Sequence, residues 1–315
     1  MKIGIGLKMG SYTPEAYAYA SYLEGNGFHV QLEKEDYLDP DLDLHIFFCG
    51  IRTKYKESKG PIEIHEYSSL STPPFAIQKN FLKRYINKIP EGRIFLNDIV
   101  KNEIGFLDEV PYILRDMGVD DEFFSVASSS LEYDLLYCGS LVGRLGLAEQ
   151  LKRLAAMGLK ILVVGEVSKF FMKEFMGNTQ IKFTGRLKRN ELPAVFGLAR
   201  AGLNYTPNIY PFNIQTSTKT LEYCAAGLGV VSNSYEWANF FEKSRSSKFL
   251  WLENIRSKDD FDTFNFEKIN VSDLNWSKLL EKANLVNFIM IIFYFATFLN
   301  VAVHIAVYSL DERLS

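Results

Sequence analysis

Short, nearly continuous apolar runs separated by helical stretches recur along this chain. That recurrence constrains its fold more than any other feature. Residues 2–7, 28–32, 42–48, 62–65, 93–96 and 112–114 read as strands. Residues 14–24 have helical character and stop at Gly25-Asn26-Gly27. Residues 75–89 place Ile77, Phe81, Tyr85 and Ile89 at i, i+4 spacing, with Pro90 as the stop. Strands apolar on both faces belong inside a parallel sheet covered by helices on both sides. After Ser128-Ser129-Ser130, a plausible linker, the pattern restarts. Residues 135–138, 160–164, 181–184, 201–205 and 229–232 read as a second set of strands. Helices are expected at 147–156, at 221–226 and at 273–284. The fold class is therefore α/β, with two doubly wound parallel-sheet domains in succession. A length of 315 residues agrees with two domains. The expected boundaries are 1–125, 126–284 and a separate segment, 285–315.

That last segment departs from the pattern. From Leu285 to Leu310 there is no Asp, Glu, Lys or Arg over 26 residues. As a helix this run reaches ~39 Å, enough to cross a ~30 Å hydrocarbon core with tilt. Asn287, Thr297, Asn300 and His304 interrupt its apolar character. A membrane-embedded tail and a buried helix both remain open. Lys278 and Lys282 before it, against Asp311, Glu312 and Arg313 after it, favour a cytoplasmic body if it spans. The start, MKIGIG, runs straight into a strand pattern without a signal-peptide core, which also points to the cytoplasm.

Charge and motifs exclude several functions. The net charge of −3, from 35 basic and 38 acidic residues, argues against a nucleic-acid partner. Cys49, Cys138 and Cys224 sit in apolar contexts without motif spacing and read as reduced, buried thiols. With four scattered histidines, no metal site is expected. There is no G-x-x-x-x-G-K-[ST], no G-x-S-x-G, and no complete G-x-G-x-x-G, since Gly4-Ile-Gly6 lies inside the first strand. Asp39-Pro40-Asp41 and Asp41-Leu42-Asp43 precede a strand and read as a turn. Gly139, Gly165 and Gly185 each follow a strand, where ligands of open parallel sheets bind.

The most informative stretch is TKTLEYCAAGLGVVS, residues 218–232. It places Lys219 and Glu222 three apart on the first turns of a helix. A helix start with a lysine suits a diphosphate, and a carboxylate can accept two hydrogen bonds from a ribose diol. An i, i+3 salt bridge on a surface helix is the alternative for the same pair.

This stretch resembles the K-x-x-E-Y-x-A-x-G-x-P-V-V segment of GT-B fold glycosyltransferases, above all family 4 and its relatives of bacterial surface-polysaccharide type. Further pieces follow in the family's order: YCGSL (137–141), ILVVGE (161–166), KFTGRL (182–187) and LRDMGVDDEFF (114–124). Together they cover about residues 112–284. The resemblance implies the GT-B fold, two Rossmann-like domains facing a cleft, here with an apolar C-terminal helix. It implies a nucleoside-diphosphate sugar, UDP- or GDP-linked, as donor and substrate, with no cofactor and no metal. Glu222 would hold the ribose, Lys219 and Arg144 the diphosphate after Gly139, and the Gly185-Arg186 loop would lie by the base. In the first half, IEIHEYSSLS (62–71) resembles a strand-end His-Glu-Pro segment, which makes His65 and Glu66 the catalytic candidates. Gly10-Ser11 resembles a loop approaching the donor phosphate or the acceptor. Two departures stand out: Ile214 occupies the position of the family's first Glu, eight residues before Glu222, and Gly229 replaces its proline.

Between Glu66 and Glu91 no acid occurs, and Lys79, Lys83, Arg84 and Lys88 bracket the apolar stripe of residues 75–89. Such a helix either sits on an anionic membrane surface or packs in the core with a solvated basic face. The expected function is transfer of a sugar to a hydroxyl of a lipid-linked saccharide in cell-surface polysaccharide assembly. Its expected place is the cytoplasmic face of the inner membrane, peripheral or tail-anchored. The alternatives are a non-catalytic nucleotide- or saccharide-binding GT-B partner subunit, which the lost Glu favours, and a UDP-sugar epimerase.

Overall fold

The computed structural model describes residues 1–7, 13–53, 61–126, 130–141 and 143–298. Gly10, Ser11 and most of the 128–130 linker lie outside the described residues, as does 299–315.

By contacts the chain forms two compact units, one of residues 1–116 with 276–298, the other Met117–Asn275. The first holds β1 (Lys2–Leu7), β2 (His29–Lys34), β3 (Leu44–Phe48), β4 (Ile62–Tyr67), β5 (Gly92–Phe95) and β6 (Tyr112–Leu114). Their spatial order is β2-β1-β3-β4-β5-β6, with every pairing parallel. β3 is buried at every position, as its LHIFF sequence requires of an inner strand covered on both faces.

The second unit holds β7 (Tyr133–Cys138), β8 (Ile161–Val164), β9 (Ile181–Gly185), β10 (Ala199–Asn204), β11 (Gly229–Ser232) and β12 (Leu250–Trp251). They run in the order β12-β11-β10-β7-β8-β9, again all parallel. Leu147, Leu151, Leu154 and Ala155 of the Leu147–Ala156 helix cover one face, joining Leu135, Ile161, Val163 and Leu203 in one core. The strand ends come very close. Gly139 N donates to Val164 O and Gly165 N to Gly185 O. A Cβ on Gly165 would stand 2.1 Å from Gly139 O, so only glycine fits between β7 and β8.

The structure places the division differently from the expected boundary at 285. The expected 273–284 helix is a 3₁₀ turn, Ser272–Leu274, followed by the helix Trp276–Lys282, and that helix packs on the first unit. The Trp276 ring meets Tyr19 edge-on at 6.4 Å. Asn284, with φ +61°, breaks the helix, and Leu285–Phe298 continues bent by 47°. Leu285, Phe288, Ile289 and Ile292 are buried. A Cβ on Gly92 would come within 3.0 Å of the Phe288 ring and 3.1 Å of Ile292, so this helix lies directly against β5. The described half of the apolar tail thus packs one face of a helix and leaves Ile291, Tyr294, Phe295 and Phe298 exposed. Among the described residues no single helix is long and apolar enough to cross a membrane, although the bent pair passes by length and composition. Ile289→Ala is expected to cost about 2–4 kcal/mol of stability, read from the denaturant midpoint. A change below about 0.5 kcal/mol would remove this helix from the core.

Candidate functional site

In the second unit the Thr218–Ala225 helix begins just beyond the carboxyl end of β10. Ser217 caps it: its hydroxyl accepts from Thr220 N at 3.3 Å and donates to Asn204 Oδ1 at 3.0 Å. Tyr223 fixes the helix against the sheet. Its ring lies where a Cβ on Gly202 would be, 2.2 Å away, and its hydroxyl accepts from Cys138 N at 2.9 Å. The first turn therefore stands beside the carboxyl ends of β7 and β10, where parallel sheets bind ligands.

Lys219 and Glu222 meet each other there. Lys219 Nζ donates to Glu222 Oε2 at 2.6 Å, and Arg189 donates to Oε1 at 2.5 Å. Arg189 also donates to Asp120 at 2.6 Å. Glu222 has no exposure, while the Lys219 side chain keeps 31%. The pair is the salt bridge that the spacing allowed, but with a buried carboxylate instead of a solvated one. Burial works against the charge of Arg189, and the carboxylates of Glu222 and Asp120 outweigh it, so its pKa stands above the usual value. Arg189 was not among the residues singled out from the sequence. Asp120 belongs to the GVDDEFF stretch, so a buried bridge joins two segments of the expected series.

The remaining candidates of this unit stand as follows. Gly139 follows β7 and Gly185 ends β9 with φ +76°. Arg186 is exposed. Arg144 is half-buried, its guanidinium 5.6 Å from the Phe212 ring. Burial pushes the neighbouring Tyr137 hydroxyl up to about 12, although the positive charge of Arg144 opposes the rise. Ile214, in the place of the family's first Glu, is flanked by two buried polar atoms without a hydrogen-bond partner, Asn213 Oδ1 and Gln215 Nε2. A cavity of about 420 Å³ beside Arg189 is lined by Asp120, Asp121, Glu122 and Asn190. Its three carboxylates repel a diphosphate.

The first unit corrects the expectation for His65 and Glu66. β4 continues to Tyr67 and lies between β3 and β5, so neither residue stands at an open strand end. Both are 0% exposed. Glu66 accepts from Tyr19 at 2.7 Å and from Arg115 at 2.7 Å. A general base must come within ~2.6–3.2 Å of its proton, and here His65 is engaged with Glu63, and Glu66 with Tyr19 and Arg115. His65 Nε2 lies 3.1 Å from Glu63 Oε2, and Glu63 also binds Arg52 at 2.9 Å and Lys88 at 3.2 Å. Burial is opposed at Glu63 by His65 and Arg52, which hold its carboxyl below the usual range.

His65 Nδ1 has no partner, so a neutral ring donating from Nε2 fits the site and a protonated ring does not. Burial accordingly lowers its pKa. The unfolded chain takes up a proton near pH ~6.5 that the buried ring refuses. The resulting stability is present above that pH and is lost as pH falls, with a slope of up to about 1.4 kcal/mol per unit. Measured by urea unfolding at pH 7 and 5.5, His65→Gln should flatten this slope; His45, also lowered by burial, supplies what remains. An unchanged slope would mean that His65 is not buried neutral.

No protein-family model matches the chain, and no curated protein does. Solved structures do. AviGT4, a glycosyltransferase involved in avilamycin A biosynthesis, is 13% identical, with 93% of this chain and 97% of that one covered at a TM-score of 0.59. WaaG, a glycosyltransferase involved in lipopolysaccharide biosynthesis, is 12% identical, covering 90% of each chain at 0.55. The UDP-GlcNAc 2-epimerase of Methanocaldococcus jannaschii is 13% identical, covering 92% and 99% at 0.52. The fold is the two-domain GT-B fold, with a C-terminal helix added.

Proposed function

We propose that this chain is a glycosyltransferase that moves a sugar from a UDP- or GDP-linked donor to a hydroxyl of a lipid-linked saccharide, at the cytoplasmic face of the inner membrane. The observation that carries the reading is the Thr218–Ala225 helix start beside two strand ends, with Lys219 laid over a buried Glu222. In this proposal the start of the helix and Lys219 receive the donor diphosphate. When Lys219 turns to the phosphates, it uncovers Glu222 Oε2 for the ribose diol, while Arg189 keeps Oε1 in place. Arg144 adds positive charge from the loop after β7, and the Gly185-Arg186 turn borders the base. Asn213 and Gln215 offer their unpartnered atoms to the donor sugar, where relatives in the resembled family use a Glu.

The acceptor hydroxyl oxygen attacks the sugar's anomeric carbon as its bond to the diphosphate oxygen breaks, and the hydroxyl proton passes to the leaving diphosphate. Negative charge builds on the leaving diphosphate, and the helix start with its cations stabilises it. His65 and Glu66 take no part in this scheme; both hold the first sheet together.

The test is incubation with UDP- and GDP-sugars and membrane lipid extract. Release of nucleoside diphosphate, with the sugar moving into the lipid fraction, is the expected result. Tight donor binding without release would leave a binding module, and a free isomerised UDP-sugar would leave an epimerase.

A further inference from the structure

The two cations on Glu222 are held very differently. Arg189 is fixed from behind. Its Nε and Nη2 both lie 2.6 Å from Asp120 Oδ2, and its guanidinium stands 4.9 Å from the Phe123 ring. The Phe123 ring meets Phe196 at 5.1 Å, and Phe196 meets Tyr223 at 5.3 Å. One aromatic row therefore seats both Arg189 and the helix that carries Glu222. Lys219 has no such anchor. Among the described residues its ammonium has one hydrogen-bond partner, Glu222 Oε2 at 2.6 Å. Its side chain is 31% exposed, against 20% for Arg189, and it ends a flexible four-carbon stem. Of the two contacts on the carboxylate, the one to Lys219 is the one a ligand can break.

Glu222 itself has no exposure, so it cannot take a ribose diol while Lys219 lies over it. A diphosphate supplies what moves Lys219: an anion of higher charge than a carboxylate, beside a helix start. A neutral nucleoside offers the ammonium nothing in exchange. Once Lys219 has left, Arg189 still pairs with Oε1, so the uncovered carboxylate is not a buried charge without a partner. We propose that Lys219 determines specificity as well as binding phosphate: it closes the ribose carboxylate to any nucleoside that does not bring a diphosphate. Phosphate and ribose recognition are thereby coupled, and by linkage each half of the donor strengthens the binding of the other. The inference rests on the donor-site reading above and states which ligands that site refuses.

The test is calorimetric titration of the full chain with UDP, GDP, uridine, guanosine and inorganic pyrophosphate. The nucleoside whose diphosphate binds the wild type is the probe. Lys219→Ala should bind that nucleoside about fivefold or more tightly than the wild type does, and its diphosphate roughly tenfold more weakly. The nucleoside is uncharged, so the loss of a positive charge does not explain a gain. Glu222→Gln gives the reciprocal measurement. Pyrophosphate should bind it about fivefold or more tightly than the wild type, because Lys219 is no longer held. In the Lys219→Ala background the same change should alter pyrophosphate binding by less than about twofold, which separates release of the lysine from simple loss of a negative charge. Nucleoside binding that is unchanged or weaker in Lys219→Ala would overturn the proposal and leave the diphosphate reading standing. So would equal binding of pyrophosphate to the wild type and Glu222→Gln. If neither UDP nor GDP binds the wild type, the donor-site reading falls and this inference falls with it.

Discussion

Arg115→Ala is expected to destabilise the first unit by about 3–5 kcal/mol, the cost of leaving a buried charge without its partner. The Arg115 and Glu66 side chains both have zero exposure and meet at 2.7 Å. The guanidinium also lies 3.8 Å from Glu15, 5.3 Å from the Trp276 ring and 5.9 Å from the Tyr19 ring. It therefore ties β4, the start of the chain and the returning C-terminal helix to one point. Without it, Glu66 keeps only the Tyr19 hydroxyl. Urea unfolding checks the magnitude. Arg115→Met/Glu66→Leu, which removes both charges and keeps most of the volume, should recover more than half of the loss. If Arg115→Ala loses less than about 1 kcal/mol, the pair is not the buried bridge described above.

Lys219→Ala should lower kcat/KM by about 10²–10³-fold, the usual effect of removing one donor to developing transition-state charge. The fold should survive, because the Lys219 side chain is partly exposed and Arg189 still binds Glu222. Lys219→Arg should restore part of the rate, since charge is kept but the reach differs. Steady-state nucleotide release is the measurement, with thermal unfolding as the control. A rate within a few-fold of wild type would take Lys219 away from the diphosphate.

Much of this was legible in the chain, and the reasons for the rest are specific. β1, β11 and the Leu147–Ala156 helix occur where the apolar runs place them, because inner strands and strongly amphipathic helices leave periodic traces. The Glu236–Ser244 helix and the two-residue β12 were not read, as a short edge strand carries too little pattern. The stripe on residues 75–89 was seen, but periodicity cannot tell which face points inward. Ile77, Phe81 and Tyr85 are exposed instead of core-packed, because Asn80 accepts from Ser71 N and Arg84 donates to Ile104 O. Lys219 and Glu222 were found because they are neighbours in sequence. Arg189 was not, because its partners lie 33 and 69 positions away. His65 was mistaken for a strand-end group because β4 runs two residues further than its apolar pattern.

The chain leaves the first unit once and returns once, at neighbouring points. Val119 N donates to Leu274 O at 2.8 Å, and Val119 pairs with Asn275 as a parallel bridge. The second unit is thus one uninterrupted insert whose ends are already stitched side by side. During synthesis from the ribosome, Met117–Asn275 has all of its own residues before the first sheet has Phe288 and Ile292 to lay against Gly92. The half of the protein that is second in order therefore has its whole sequence before the half that is first. The amino-terminal sheet emerges earliest yet waits longest with an apolar face uncovered, which makes it the part most in need of protection by chaperones.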